Sequence, residues 1–275
     1  MTAGSLGLAP NVAFGPEGAP LTAVYGATLG ATKTLGRFDI ALHGSLDRTV
    51  YQDAALSDGE VQNLSANDFD DWGLRGRTIY QSGAPFRPFA EILVDIRRYG
   101  DGLDQYGYQR DSNGVEARVG TEINLSRTLT GSLDIGYGER AYEDPRLPNL
   151  SSPLFDASLI WTATPLTTVT LKSATALAET TIKGASGAAE FSSTLEVAHA
   201  LRRYLTVTGA LTETRDIYTG VALRDSTTTL SLAASYNLNR DAVLKASVSR
   251  EFYASSERGT NYCATVVSVG IRIQR

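Results

Sequence analysis

Residues 37–50 read RFDIALHGSLDRTV, and apolar and polar side chains alternate along this stretch. Phe38, Ile40, Leu42 and Leu46 share one parity. The other parity carries polar side chains, namely Asp39, His43, Ser45 and Asp47. Because successive side chains of a β-strand point to opposite faces, this pattern predicts a strand with one apolar and one polar face.

The same alternation returns in residues 115–125, 129–138, 229–238 and 266–273. We count about thirteen strands of roughly 10–14 residues, which is the length that a tilted transmembrane strand needs, whereas ordinary globular strands have about 5–6 residues. Short breaks alternate with longer ones, which are rich in Asp, Ser, Asn and Gly. The long breaks are predicted at residues 53–68, 101–113, 143–153, 183–189, 219–226 and 255–261. This organisation is typical of an up-and-down antiparallel sheet.

Composition excludes several classes of protein. The net charge is -5, and no basic stripe is visible, so we expect no nucleic-acid partner. Cys263 is the only cysteine, which excludes an internal disulfide and a cysteine-based zinc site. No run approaches 18 apolar residues, so no transmembrane helix is predicted. The opening MTAGSLGLAP lacks the basic and apolar regions of a signal peptide, so if the protein is exported we expect this sequence to be a mature or truncated chain.

A recurring sequence pattern has an Arg followed by a Tyr at the point where a strand ends and a polar loop begins. The arginines Arg48, Arg98 and Arg215 each lie ten residues after the start of an upward strand, a climb of about 25 Å at the usual tilt. With Arg250, they fall on the apolar, outward parity, where they are expected to meet lipid phosphates at the rim. The tyrosines fall on the inward parity and are predicted to line the upper mouth: Tyr51, Tyr99, Tyr142, Tyr218 and Tyr253.

Outward aromatic residues are predicted to form two girdles at the membrane interfaces. Near the short turns these are Phe38, Tyr80, Trp161 and Tyr236, and near the long loops they are Trp72, Tyr137, Phe155, Phe191 and Phe252. Core aromatics of a β-sandwich are the alternative interpretation.

Two stretches, PFAEILVDIRRY (residues 88–99) and GYGERAYEDPRL (residues 136–147), carry a family resemblance. Together with the alternating short turns and long loops, they resemble the outer-membrane β-barrel porin family of Gram-negative bacteria, β-barrel porin 2-like, from about Leu21 to the end. The resemblance implies a barrel in the outer membrane, surrounded by its lipids, often with an undefined transport role. The chain departs from the usual pattern because it lacks a signal peptide and ends in IRIQR instead of an aromatic residue.

The inward positions form two different walls. The first, called here the charged wall, is predicted to line the pore with Arg75, Arg77, Glu91, Asp95, Arg97, Glu116, Arg118, Glu122, Asp134 and Arg140. The second, called the hydroxyl wall, carries Thr206, Thr208, Ala210, Thr212, Thr229, Ser231, Ala233 and Ser235 and is expected to hold no fixed charge. Such a lumen fits either a water-filled pore or an interior filled by paired charges. If it is open, neutralising Arg75, Arg97 and Arg118 together is expected to shift permeation toward cations.

Catalysis is not expected. Asp39, His43 and Asp47 share one face, but residues four apart on a strand are separated by about 13 Å, too far for a hydrogen bond. The spacing of Asp101, Asp104 and Asp111 fits no known calcium loop. The sequence predicts no cofactor and no metal.

The sequence therefore predicts an all-β protein, a transmembrane up-and-down antiparallel β-barrel of about 14 strands. Residues 1–275 are expected to form one domain, in which residues 1–20 are an N-terminal segment that is a weak first strand (Gly4–Phe14) or incomplete. The expected function is a channel for small polar solutes or ions. The alternatives are a closed structural or surface-interaction barrel and a soluble β-sandwich or propeller. Solute identity and oligomeric state stay open.

Overall fold

The computed structural model describes residues 21–55 and 61–273, which form one long antiparallel sheet and one small hairpin. The sheet contains thirteen of the fifteen strands, and β3 and β4 pair only with each other. A short 3-10 helix at Ser65–Asn67 lies in the same connection as that hairpin. The strands are β1 Thr22–Leu35, β2 Phe38–Tyr51, β3 Ala54–Ala55, β4 Val61–Gln62, β5 Phe69–Tyr80, β6 Phe86–Tyr99, β7 Ser112–Ser126, β8 Leu129–Tyr142, β9 Leu150–Thr164, β10 Thr167–Glu179, β11 Gly187–Arg202, β12 Leu205–Thr219, β13 Arg224–Asn237, β14 Ala242–Ser255 and β15 Tyr262–Ile273.

Each long strand pairs with the strand before it and the strand after it, in the order β1-β2-β5-β6 through to β15. The prediction of an all-β, up-and-down antiparallel fold is therefore confirmed. The thirteen strands counted in the sequence match the thirteen strands of this sheet, and the total of about fourteen includes one more strand expected before it. The expected extra strand, Gly4–Phe14, and its pairing with residues 266–273 lie outside the described residues. With thirteen antiparallel strands, β1 and β15 run in the same direction.

Short turns alternate with longer loops between the long strands, as the sequence predicts, and the β1–β2 turn uses Gly36 with a φ of 62°. Two loops are shorter than predicted. The loop expected at residues 143–153 ends earlier, because β9 begins at Leu150, which pairs with Arg140 of β8. Leu150 and Leu154 are fully buried, so this part of β9 packs as a strand even though its serines and proline suggest a loop. The loop expected at residues 219–226 similarly shrinks to residues 220–223.

The two faces of the sheet differ in the way that the alternation predicts. Large apolar side chains on the outward parity are exposed, including Ile92 (58%), Ile135 (61%) and Leu232 (53%). The inward parity of β5–β9 contains buried charged groups and two buried leucines, Leu150 and Leu154. An apolar band of this extent facing outward is typical of a surface that contacts lipid or another protein.

Candidate functional site

The lower half of the charged wall, toward the short turns, is a chain of ion pairs across β5, β6 and β7. Arg77 donates to Glu91 at 3.3 Å and to Glu122 at 3.0 Å. Arg87 binds the same Glu122 at 2.6 Å, and Arg75 lies 3.8 Å from Glu91. The Arg75 and Arg87 side chains remain 51% and 41% exposed. This part of the wall therefore presents charge to a space that is open to water.

The upper half, toward the long loops, is packed. Arg97 donates to Asp71 at 2.8 Å and to Glu179 at 2.9 Å, and its guanidinium lies 4.7 Å from the centre of the Phe69 ring. Arg140 pairs with Asp95 and donates to the Ser112 hydroxyl at 3.1 Å. Among the predicted residues of this half, Asp95, Arg97 and Arg140 are all less than 10% exposed. These charges fill their side of the upper lumen.

Arg118 connects the two halves at mid-height. It contacts Glu116 at 3.1 Å, Asp134 at 3.4 Å and Asp156 of β9. All ten predicted residues of the charged wall thus lie in one connected region of β5–β8. Sequence reasoning missed Asp71, Asp156 and Glu179, although the inward parity of Asp71 and Asp156 marks both of them as candidates.

Glycines on the inward face allow the walls to approach each other in the upper half. A Cβ on Gly114 would lie 2.3 Å from an oxygen of Asp95. A Cβ on Gly138 would come within 3.1–3.3 Å of Leu177, Leu154 and Glu116, which belong to three other strands. The absence of a side chain at these positions lets β9 and β10 pack over the charged wall.

The five predicted mouth tyrosines lie within two residues of the loop end of their strands. Tyr218 is buried and the other four are half-buried. Carboxylates from the following loops hold two of these strand ends. The Tyr51 N–H donates to Asp68 and the Tyr99 N–H to Asp111, both at 2.8 Å. Asp111, considered above as a calcium ligand, is thus used within the fold.

The outward arginines at the rim have protein partners. Arg48 binds Asp70 at 3.1 Å, Arg98 lies 3.3 Å from Glu143, and Arg215 binds Glu213 at 2.6 Å. The Arg250 guanidinium lies 5.3 Å from the centre of the Phe252 ring. Three of these four arginines therefore pair with a carboxylate of the protein. The repeated Arg–Tyr pattern in the sequence does not predict these partners.

Three long loops are tied together above the charged wall, and we call residues 100–111, 143–149 and 180–186 the loop cap. Arg110, whose side chain is 2% exposed, binds Asp104 at 2.6 Å and donates to the carbonyl oxygens of Thr180, Ile182 and Ala185. Asp144 accepts from the Gln109 N–H at 3.0 Å and pairs with Arg146.

Asp144 is buried and accepts from both the backbone and the side chain of Arg146. Hydrogen bonds from the Arg146 side chain hold the pKa of Asp144 well below its usual range, with smaller contributions from the Arg146 and Gln109 N–H groups. Arg146 also donates to the carbonyl of Gly107 and lies over the Tyr108 ring. The cap is therefore a hydrogen-bonded structure built around two acid–arginine pairs.

The hydroxyl wall carries charge, which corrects the expectation that it holds none. Thr194 and Thr212 share a 3.1 Å hydrogen bond on its inward face, and Glu190 and Asp216 lie on the same parity nearer the loops. Asp225 of β13 lies directly opposite Asp216. Extending the alternation of inward and outward residues to the ends of β11, β12 and β13 would have placed all three carboxylates on the inward face.

Within residues 21–55 and 61–273, no helix is long and apolar enough to cross a bilayer. The same residues contain no group of three or more His, Cys, Asp or Glu side chains placed to hold a metal ion.

Comparison with known proteins agrees with this architecture. None of the curated proteins compared matches the chain. A family model described as "Putative beta-barrel porin 2" matches residues 8–275. That match covers nearly the whole chain, and it agrees with the single up-and-down sheet and its apolar outward face. The chain therefore belongs to this β-barrel porin family.

Proposed function

We propose that this protein is an outer-membrane channel of a Gram-negative bacterium, which passes small polar solutes or ions and performs no catalysis. The observation that carries the proposal is the division of one sheet into an exposed apolar face and a charged, hydroxyl-rich face. Family membership supports it. Lipids of the outer membrane are the partners that the apolar face requires.

We infer the path of a solute from the positions at which inward charged side chains are accessible to water. Near the short turns, a depression is lined by Arg77, Arg87, Glu122, Asn124 and Ser132, so this end offers an entrance with charged and hydroxyl groups. Near the long loops, the charged wall is filled by its own ion pairs. We therefore propose that the ten charged-wall residues border the lumen, and that solutes pass between this wall and the hydroxyl wall.

A second candidate is a closed barrel that acts as a structural or surface-interaction protein. The packed upper half of the charged wall and the loop cap above it favour this candidate, because both reduce the space for a solute. A soluble sandwich or propeller is disfavoured, because the outward apolar side chains would then face water.

Single-channel recording in planar bilayers separates the two candidates. The channel predicts discrete current steps from protein whose folding is verified by circular dichroism. It also predicts that the inward pair of substitutions Arg75→Glu and Arg87→Glu raises the K⁺ over Cl⁻ permeability ratio several-fold. Arg215→Glu, on the outward rim, is the matched control and should leave that ratio unchanged. Folded protein that gives no steps would contradict the channel and favour the closed barrel.

A further inference from the structure

The short turns and the long loops carry opposite charge. All six short turns lie within the described part of the chain, and their charged side chains are Arg37, Arg127, Arg203, Arg240 and Asp241. The last residue of β11, Arg202, adds another positive charge beside Arg203. In the described parts of the long loops, eight acidic side chains outnumber four basic ones. The turns are therefore positive and the loops negative.

Four of these basic residues, which we call the turn arginines, have no acidic partner. They are Arg37, Arg127, Arg202 and Arg203, all are exposed, and within residues 21–55 and 61–273 none of them forms an ion pair. Arg37 donates to the Tyr80 hydroxyl at 3.4 Å, and Arg202 donates to the carbonyl oxygen of Leu201 at 3.1 Å. By contrast, three of the four arginines predicted at the loop-side rim bind carboxylates. The charge of the turn arginines is thus available to an external anion.

Aromatic rings lie beside each turn that carries a turn arginine. Two ring pairs flank the β1–β2 and β11–β12 turns, namely Phe38–Tyr80 with centres 5.3 Å apart and Tyr204–Tyr236 with centres 5.1 Å apart. The first residue of each pair directly follows a turn arginine in the chain. At the β7–β8 turn, the 51% exposed Trp161 pairs with Leu129, two residues after Arg127. Exposed aromatic rings at the end of an apolar band lie at the depth of lipid headgroups, which places the turn arginines there as well.

The spacing of the three turns selects the kind of anion. In the order of the sheet, the β1–β2, β7–β8 and β11–β12 turns follow one another at intervals of four strands. Neighbouring strands are about 4.8 Å apart, so consecutive turns lie about 19 Å apart along the sheet. A single small anion is too short to contact two of these turns, whereas a lipid leaflet that surrounds the sheet contacts all three.

We propose that the turn arginines bind the phosphate groups of anionic phospholipids at the short-turn end of the protein. A negatively charged leaflet attracts basic side chains at its surface, and a guanidinium binds phosphate through paired N–H groups. The inference rests on the membrane location in the proposed function, and it adds the class of lipid and the end of the protein that binds it. The turn side, rather than the loop-side rim, is then the main site of contact with lipid phosphates.

The two native tryptophans report separately on the two ends, because Trp161 lies near the short turns and Trp72 near the long loops. In folded full-length Trp72→Phe, the fluorescence of Trp161 is quenched by chain-brominated phosphatidylglycerol or by chain-brominated phosphatidylcholine. Each is mixed at the same mole fraction into phosphatidylcholine vesicles. The ratio of the two quenching constants should favour phosphatidylglycerol about threefold or more at low salt. It should fall toward one at high salt, because ions screen exposed charges.

Substitution of the turn arginines tests whether they cause this preference. In the Trp72→Phe background, the combined variant Arg37→Gln, Arg127→Gln, Arg202→Gln and Arg203→Gln should bring the ratio to about one. Arg258→Gln is the matched control, because Arg258 is an exposed arginine in the long loop between β14 and β15, and it should leave the ratio unchanged. In Trp161→Phe, where Trp72 reports on the loop end, the ratio should also be about one.

The outcomes separate lipid selectivity from membrane location. Equal quenching of Trp161 by the two lipids would overturn the proposal, and so would a preference that survives the four substitutions or that is equally strong at Trp72. Each of these results would still leave the protein in the membrane and the channel standing. Folded protein in which neither brominated lipid quenches either tryptophan would contradict the membrane location and, with it, the proposed channel.

Discussion

Arg97 of β6 donates to Glu179 of β10 at 2.9 Å, although three strands, β7, β8 and β9, lie between these two in the sheet. Neighbouring strands are about 4.8 Å apart, so a flat sheet would separate β6 and β10 by about 19 Å. Contact between the two side chains requires the sheet to curve strongly toward its inward face. The pair therefore ties together two sides of the upper lumen.

Removing the Arg97 guanidinium is expected to destabilise the fold. Arg97→Gln removes a buried cation and leaves the half-buried carboxylates of Asp71 and Glu179 without it, so we expect the free energy of unfolding to fall by about 2–4 kcal/mol. Urea unfolding of the protein in lipid vesicles, followed by tryptophan fluorescence, measures the loss. Arg215→Gln is the control and should cost under about 1 kcal/mol, because the Arg215–Glu213 pair is exposed.

A charge should be tolerated on one face of β13 and rejected on the other. Leu232 is outward and 53% exposed, so Leu232→Arg places a cation among lipid chains and should cost about 2–4 kcal/mol of membrane stability. Ser231 is its inward neighbour, so Ser231→Arg should insert normally. We expect outward Leu133 and Val248 to behave like Leu232. Equal refolding yields for Leu232→Arg and Ser231→Arg in vesicles would refute the assignment of the two faces.

The loop cap should lose stability in acid through Asp144. Its folded pKa lies well below the ordinary value because of the Arg146 hydrogen bonds, so the carboxylate is ionised in the fold while the unfolded chain still takes up a proton. Its contribution is complete above the ordinary Asp pKa of about 3.9 and declines as the pH falls below that value. The melting temperature of the wild type should therefore exceed that of Asp144→Asn most above about pH 5, and the gap should narrow toward pH 2.

Asp241→Asn removes an exposed carboxylate in a short turn and serves as the control for this comparison. A gap between the wild type and Asp144→Asn that stays constant from pH 6 to pH 2 would show that ionisation of Asp144 does not stabilise the cap.

Arg110 should control access to the loop after β10. Its guanidinium holds the carbonyls of Thr180, Ile182 and Ala185, so Arg110→Met should free the chain on both sides of Lys183. Trypsin is expected to cleave after Lys183 at least tenfold faster in the variant, measured by mass spectrometry of timed digests. Arg48→Met, at the rim of a distant strand, should leave that rate unchanged. An unchanged rate in Arg110→Met would mean that other contacts hold this loop.

Alternation in the sequence was sufficient to predict the strands and their faces, because lipid and lumen impose opposite demands on neighbouring residues. The ten-residue spacing to Arg48 and Arg215 places strand starts at Phe38 and Leu205, where β2 and β12 begin. The start that it places at Pro88 lies two residues inside β6, which begins at Phe86. Alternation did not predict the first residues of β9, because the inward side chains there face neither lipid nor water. Ser151 and Pro153 suggest a loop, yet their segment is part of β9, because the buried Leu150 and Leu154 hold it against the charged wall.

The partners of the inward charges were harder to predict. Pairing between neighbouring strands, as in Arg77 with Glu91, follows from register, but the contact of Arg97 with Glu179 depends on how strongly the sheet curves. Sequence alternation contains no information about curvature. The inward carboxylates of Glu190, Asp216 and Asp225 were predictable from parity, and they were missed because the threonines and serines around them dominate the composition of those strands.

If the outward parity faces lipid, the two native tryptophans should lie in the membrane, and their fluorescence tests this. Trp72 and Trp161 are both outward, 43% and 51% exposed, near opposite ends of their strands. The measurement is quenching of tryptophan fluorescence in vesicles whose lipid chains carry bromine atoms at defined depths. We expect strong quenching, greatest when the bromines lie close to the headgroups, where aromatic girdles lie. Weak quenching by brominated lipid together with strong quenching by aqueous iodide would place both residues in water and contradict a position in the membrane.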